Sequence, residues 1–103
     1  MHLYNEDKPY IFISYAHKNS EKVVPILMKL QQEGYNFWYD EGIEPGSEWD
    51  EFIANKITNC GYFIAFVSNA YVQSKNCKDE LNYARDLDKE LLLIYLEEVN
   101  MPA

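Results

Sequence analysis

Four short apolar runs constrain this chain more than any other feature. They span residues 10–14, 35–40, 62–67 and 91–96, and they are rich in Ile, Val, Leu, Phe, Trp and Tyr. Three of them are continuous rather than alternating, which is the pattern of strands buried on both faces. Between the runs lie stretches with helical spacing and helix punctuation. Ser20 is placed to cap a helix reaching to about Glu33, with Val23, Leu27 and Leu30 at helical intervals and Gly34 as the stop. Pro25 lies near its first turn, where a lost N–H costs least. Ser47 and Asp50 resemble a capping box opening a second helix that carries Phe52, Ile53 and Ile57 inward and ends at Gly61. Residues 68–73 read as a turn with a short helical piece. Ser74 then caps a third helix with Leu81, Ala84 and Leu87 inward, and residues 97–103 read as a frayed end.

Strands alternating with helices imply a parallel sheet with helices on both faces. The expected class is α/β and flavodoxin-like: three layers, four strands in the order 2-1-3-4. At 103 residues the whole chain, 1–103, is one domain, with residues 1–9 a loose polar tail. Open parallel sheets bind ligands beyond the carboxyl ends of their strands. In this order that edge carries Ser14 and Tyr15, Asp40, and Ser68 and Asn69.

Composition excludes several function classes. The net charge is −8 and no basic patch can neutralise a row of phosphates, so nucleic acid is not an expected partner. Cys60 and Cys77 make neither a CxxC nor a zinc spacing, and read as reduced thiols of a cytoplasmic protein. No metal site is expected. The N-terminus lacks a signal-peptide pattern, and the longest apolar run is too short to span a bilayer, so no membrane partner is expected either. No GxGxxG follows the first strand and no P-loop is present. A phosphoacceptor receiver domain would need acidic residues where Ser14, Tyr15 and Ser68 stand. Ser14, His17 and Asp40 lack the strained elbow of a hydrolytic triad, and His17 reads as a solvated loop residue.

Four segments, taken in order, resemble a TIR (Toll/interleukin-1 receptor) domain of bacterial type over residues 9–97. They are Phe12-Ile13-Ser14-Tyr15 with Ala16-His17-Lys18; Trp38-Tyr39-Asp40-Glu41-Gly42-Ile43 with Pro45-Gly46-Ser47-Glu48-Trp49; Phe66-Val67-Ser68, Tyr71, Ser74, Cys77 and Glu80-Leu81; and Leu93-Ile94-Tyr95-Leu96-Glu97. The resemblance implies either of two activities. One is an NAD glycohydrolase that releases nicotinamide, gives ADP-ribose or a cyclised form, and is activated by self-assembly in bacterial defence or signalling. The other is a non-catalytic module working through TIR–TIR contacts. NAD is then a substrate, and no resident cofactor is implied.

The family's catalytic glutamate falls on Glu80. Breaking the nicotinamide bond builds positive charge on the ribose, and nicotinamide leaves as a neutral base. One carboxylate facing the sugar can therefore suffice. At about 4 Å and an effective dielectric near 20 it contributes roughly 4 kcal/mol, about a thousandfold in rate. Read by position alone, Glu80 is more simply a solvated acid in the first turns of a helix, where carboxylates are favoured anyway. The other candidates for NAD contact are Phe12, Ser14, Tyr15, Asp40, Trp49 and Ser74. Ser14 and Tyr15 either touch the dinucleotide or cap the following loop. Asp40 either holds a ribose hydroxyl or orders its loop, and Trp49 is either a stacking surface or a core anchor. Ser74 is most simply an N-cap that helps place Glu80, Trp38 reads as core, and Cys77 as a buried thiol.

The loop Glu41, Gly42, Ile43, Glu44, Pro45, Gly46, with Ser47, is the expected homotypic interface. Six acidic residues and no Lys or Arg lie between Asp40 and Glu51, a field that suits a basic patch on a neighbouring copy better than a pyrophosphate. Phosphate contacts would fall to helix N-termini or to Lys18, Lys75 and Lys78. Two departures from the family pattern stand out: Asn76 where many NAD-cleaving relatives carry an aromatic, and no fifth strand after residue 96.

Overall fold

The computed structural model describes residues 8–39 and 51–99. Within them the chain runs β1 (Ile11–Tyr15), α1 (Ser20–Gln32), β2 (Phe37–Tyr39), α2 (Glu51–Asn59), β3 (Tyr62–Val67), α3 (Asn69–Gln73), α4 (Lys75–Asp86) and β4 (Leu91–Tyr95), with a 3-10 turn at His17–Asn19. The strands form one sheet in the order β2-β1-β3-β4, with every pairing parallel. This is the flavodoxin-like order expected from the sequence. The Ser47–Asp50 capping pair lies outside the described residues.

Alternation along the central strands builds two cores. Tyr10, Phe12 and Ala16 share one face with Phe63, Ala65 and Val67, and this face packs Ile53 and Ile57 of α2, Tyr71 of α3, and Cys77, Leu81 and Ala84 of α4. Ile13, Ile64, Phe66 and Phe37 face the other way, against Val23 and Leu27 of α1. The three-layer arrangement follows: among the described residues, one α-helix lies on one face and three on the other.

Helix ends are closed by backbone geometry. α1 stops where Gly34 adopts φ +91°, with the Gly34 N–H donating to Gln31 O and the Tyr35 N–H to Leu30 O. This is a Schellman closure, and glycine is favoured because the left-handed position penalises a Cβ. α4 closes the same way, but with Asp88 at φ 55° in the glycine position, Asp88 N–H donating to Arg85 O and Lys89 N–H to Ala84 O. The Lys89 ammonium then donates to the carbonyls of Thr58 (2.6 Å) and Cys60 (3.0 Å). It neutralises the negative end of α2 and ties that end to the approach to β4.

Several local expectations need correction. Ser20 does not cap α1: it is the first helical residue, and Asn19 holds the cap position without a side-chain cap bond. The Asn19 side chain is engaged elsewhere, accepting from Ser68 Oγ. Pro25 lies inside α1 rather than in its first turn, on the exposed side, where water can satisfy the carbonyl that lacks a donor. Phe52 is 54% exposed instead of inward. The buried stripe of α2 is Ile53 and Ile57, four apart, and Phe52 sits one step off it. Its ring meets the edge of Trp38, with the Lys56 ammonium 5.2 Å from the Phe52 centroid and 5.9 Å from that of Trp38. Leu87 is exposed because α4 ends at Asp86. Glu97 is not frayed: its carboxylate accepts from the Asn69 N–H at 2.9 Å.

Candidate active site

Ser14 leaves β1, a central strand, with its side chain on the same face as Phe12 and Ala16. It is 1% exposed, and its register partner on β3 is Ala65. Ala65 is small, which leaves room above the strand for side chains from the helices. Two arrive there. The Ser14 hydroxyl donates to Glu80 Oε1 at 2.7 Å and lies 2.8 Å from the Tyr71 hydroxyl.

Glu80 is carried by α4, whose start is set by Ser74: its Oγ accepts from the Cys77 N–H at 3.2 Å. Cys77, Glu80, Leu81 and Ala84 form the buried face of this helix. Glu80 is thus directed inward at the carboxyl end of the sheet, and at 7% exposure it is not a solvated surface acid. A carboxylate in that position is retained only where hydrogen bonds compensate its desolvation.

Tyr71 is held at both ends. Ser68, fully buried at the end of β3, accepts the Tyr71 N–H at 3.0 Å and so caps α3, while the phenol oxygen reaches Ser14. Burial raises the Tyr71 pKa well above its ordinary value, so the phenol stays protonated and can donate. A serine hydroxyl has one hydrogen, and here that hydrogen goes to Glu80. The Ser14–Tyr71 bond therefore runs from Tyr71 to Ser14, making a directed chain from phenol to hydroxyl to carboxylate. Tyr71 belongs to the third sequence motif, but the sequence alone gives it no role. Its position three residues after a capping serine marks a helix start and nothing chemical.

The remaining candidates separate. Phe12 is 0% exposed, stacked on Phe63 at 5.2 Å between centroids and tilted against Trp38 at 5.3 Å. A ring enclosed on this scale cannot touch a ligand, so Phe12 is corrected from a contact to a packing residue. Tyr15 points to the opposite face from Ser14, half-buried, with its ring 6.2 Å from Tyr39 and 6.1 Å from His17. Ser74 is an N-cap of the glutamate-bearing helix. Trp38 packs partly buried against the first core. Asp40, Trp49 and the expected interface residues Glu41, Gly42, Ile43, Glu44, Pro45 and Gly46 lie outside the described residues. Lys75 is paired with Asp79 at 2.9 Å on the exposed side of α4.

Both thiols are free and buried. Desolvation lifts Cys77 to about 12 and also raises Cys60, so neither supplies a thiolate at neutral pH. Among the described residues no three His, Cys, Asp or Glu side chains converge as a metal site, and no helix is long and apolar enough to cross a membrane.

Comparison with known proteins places this geometry in context. A family model described as "TIR domain" matches residues 11–103. Among solved structures, the TIR domain of the Toll-related receptor TRR-2 from Hydra magnipapillata is similar, with a TM-score of 0.75 and 22% identity over 89% of this chain and 74% of that one. The TIR domains of the activated Roq1 resistosome, which recognises the pathogen effector XopQ, give a TM-score of 0.76 and 15% identity over 89% of this chain and 60% of that one. A search of curated proteins returned no match.

Proposed function

Because the chain belongs to the TIR-domain family, and because Glu80 is held inward at the carboxyl edge of the sheet, we propose that it cleaves NAD at the nicotinamide–ribose bond. The observation that carries this reading is the short bond from Ser14 to Glu80 Oε1 in a nearly water-free setting. A carboxylate placed there stabilises the cationic ribose as nicotinamide departs, without a separate proton donor. Asp40 and Trp49 are the residues proposed to hold the ribose and the bases, with Tyr15 at the rim. The product is ADP-ribose or a cyclised form.

Self-assembly is proposed as the switch, through the acidic segment Glu41 to Gly46 against a neighbouring copy. The Roq1 TIR domains, described within an activated resistosome, support that reading. A role in bacterial defence or signalling, inside the cell, belongs to the same proposal.

The test is nicotinamide release from NAD by the purified chain over a wide range of protein concentrations. Activity rising more steeply than concentration, and abolished by Glu80→Ala, is the expected result. Charge reversal at Glu41 and Glu44 should disperse assemblies in sedimentation and lower activity at a given concentration. Nicotinamide release untouched by Glu80→Ala removes Glu80 from the mechanism. Assembly with no turnover at any concentration assigns the chain to the non-catalytic interaction class.

A further inference from the structure

We infer that Tyr71, acting through Ser14, fixes the orientation of the Glu80 carboxylate, so that both are positioning residues and neither is a substrate contact. The inference rests on the catalytic reading of Glu80 and goes beyond it by assigning the machinery that aims the carboxylate.

A glutamate has three side-chain torsions, and the last is broad and poorly determined by the backbone. A carboxylate that must face one side of a ribose therefore needs an external constraint. Ser14 supplies it from β1, which is hydrogen-bonded to β2 on one side and β3 on the other. The hydroxyl hydrogen is committed to Oε1 at 2.7 Å. Ser14 could still turn about its own first torsion, and the Tyr71 phenol at 2.8 Å prevents this by occupying its acceptor side. Tyr71 is itself 1% exposed and tethered to Ser68 through its backbone. The three groups come from β1, α3 and α4, with 57 and 66 residues separating Ser14 from its two partners. Both hydroxyl hydrogens are committed within the chain, that of Tyr71 to Ser14 and that of Ser14 to Glu80. Each donor in such a chain polarises the next, so the bond to Glu80 is strengthened by the one behind it.

The experiment is steady-state NAD cleavage by the wild-type chain, Ser14→Ala, Tyr71→Phe and the double variant, each scaled to folded protein by circular dichroism. Losing a hydrogen bond to a charged group lowers kcat for Ser14→Ala by about tenfold to a hundredfold. KM stays close to wild type, because no substrate contact is lost. Tyr71→Phe lowers kcat by a few-fold, also without a change in KM. The double variant matches Ser14→Ala, because the hydrogen-bonded path from Tyr71 to Glu80 runs through the Ser14 hydroxyl. Wild-type kcat in both single variants overturns the inference while leaving Glu80 catalytic. So do losses that multiply in the double variant, or a rise in KM as the main effect. Should Ser14→Ala fail to fold, Tyr71→Phe, which removes one oxygen from the end of a ring, decides the question by its kcat and KM. A wild-type chain that releases no nicotinamide overturns the catalytic reading, and this inference falls with it.

Discussion

Ser68→Ala is the most informative test of how the site is held together. Its Oγ does two jobs at full burial: it accepts the Tyr71 N–H at 3.0 Å, capping α3, and it donates to Asn19 Oδ1 at 2.5 Å. Replacing an N-cap serine by alanine costs about 1 kcal/mol. Here the deserted Tyr71 N–H is buried, and an unsatisfied buried donor costs about 1–3 kcal/mol. Asn19 is half-buried, so water can replace part of its lost bond. The expected total is about 2–3 kcal/mol, of the 5–15 kcal/mol typical of a domain. For a chain of this size that lowers Tm by on the order of 10–20 °C. Urea unfolding followed by tryptophan fluorescence and by circular dichroism measures it directly. Asn19→Ala, losing only the weaker half, should cost about 1 kcal/mol or less. A Ser68→Ala loss below about 0.5 kcal/mol, the level of an ordinary surface change, would refute the view that this hydroxyl carries the start of α3.

Other expectations follow from the same structure. Asp88→Gly should stabilise the chain by about 0.5–1 kcal/mol, because φ 55° is strained for aspartate and free for glycine; the urea midpoint reports it. Gly34→Ala should destabilise by about 1 kcal/mol through φ alone, since an added Cβ meets nothing within 4 Å. Cys77 should resist a thiol reagent at pH 8 until the protein is unfolded. Burial pushes its pKa up to about 12 from the ordinary 9.0, so the folded state binds the proton more tightly. The stability this contributes is fully present below pH 9 and is lost as pH rises from about 9 to 12, which unfolding measured across that range will show.

The strands were legible because uninterrupted runs such as Tyr62–Val67 admit few environments, and their alternation with helices implied a parallel sheet, while the order of strands came only with the flavodoxin-like class. Ser74 as the cap of α4 was legible too, as a hydroxyl standing directly before a helical stripe. Ser20 misled because the residues ahead of it form a 3-10 turn, and Asn19 spends its side chain on Ser68 instead of on the helix. Phe52 misled because an apolar residue beside the stripe resembles one within it. The link from Tyr71 through Ser14 to Glu80 could not be read at all. Each of the three residues has an ordinary local role, and only the register that sets Ser14 opposite a small Ala65 brings a phenol and a carboxylate over the same strand.

That meeting place has a mechanical consequence. Ser14 belongs to an interior strand paired on both sides, whereas Glu80 belongs to a helix held to the sheet by side-chain packing alone, the kind of element expected to open first. The two halves of the pair therefore have unequal lifetimes, and amide exchange should run faster along α4 than along β1. A small lift of one helix would part Ser14 from Glu80 in a molecule that, by every global measure, is still folded.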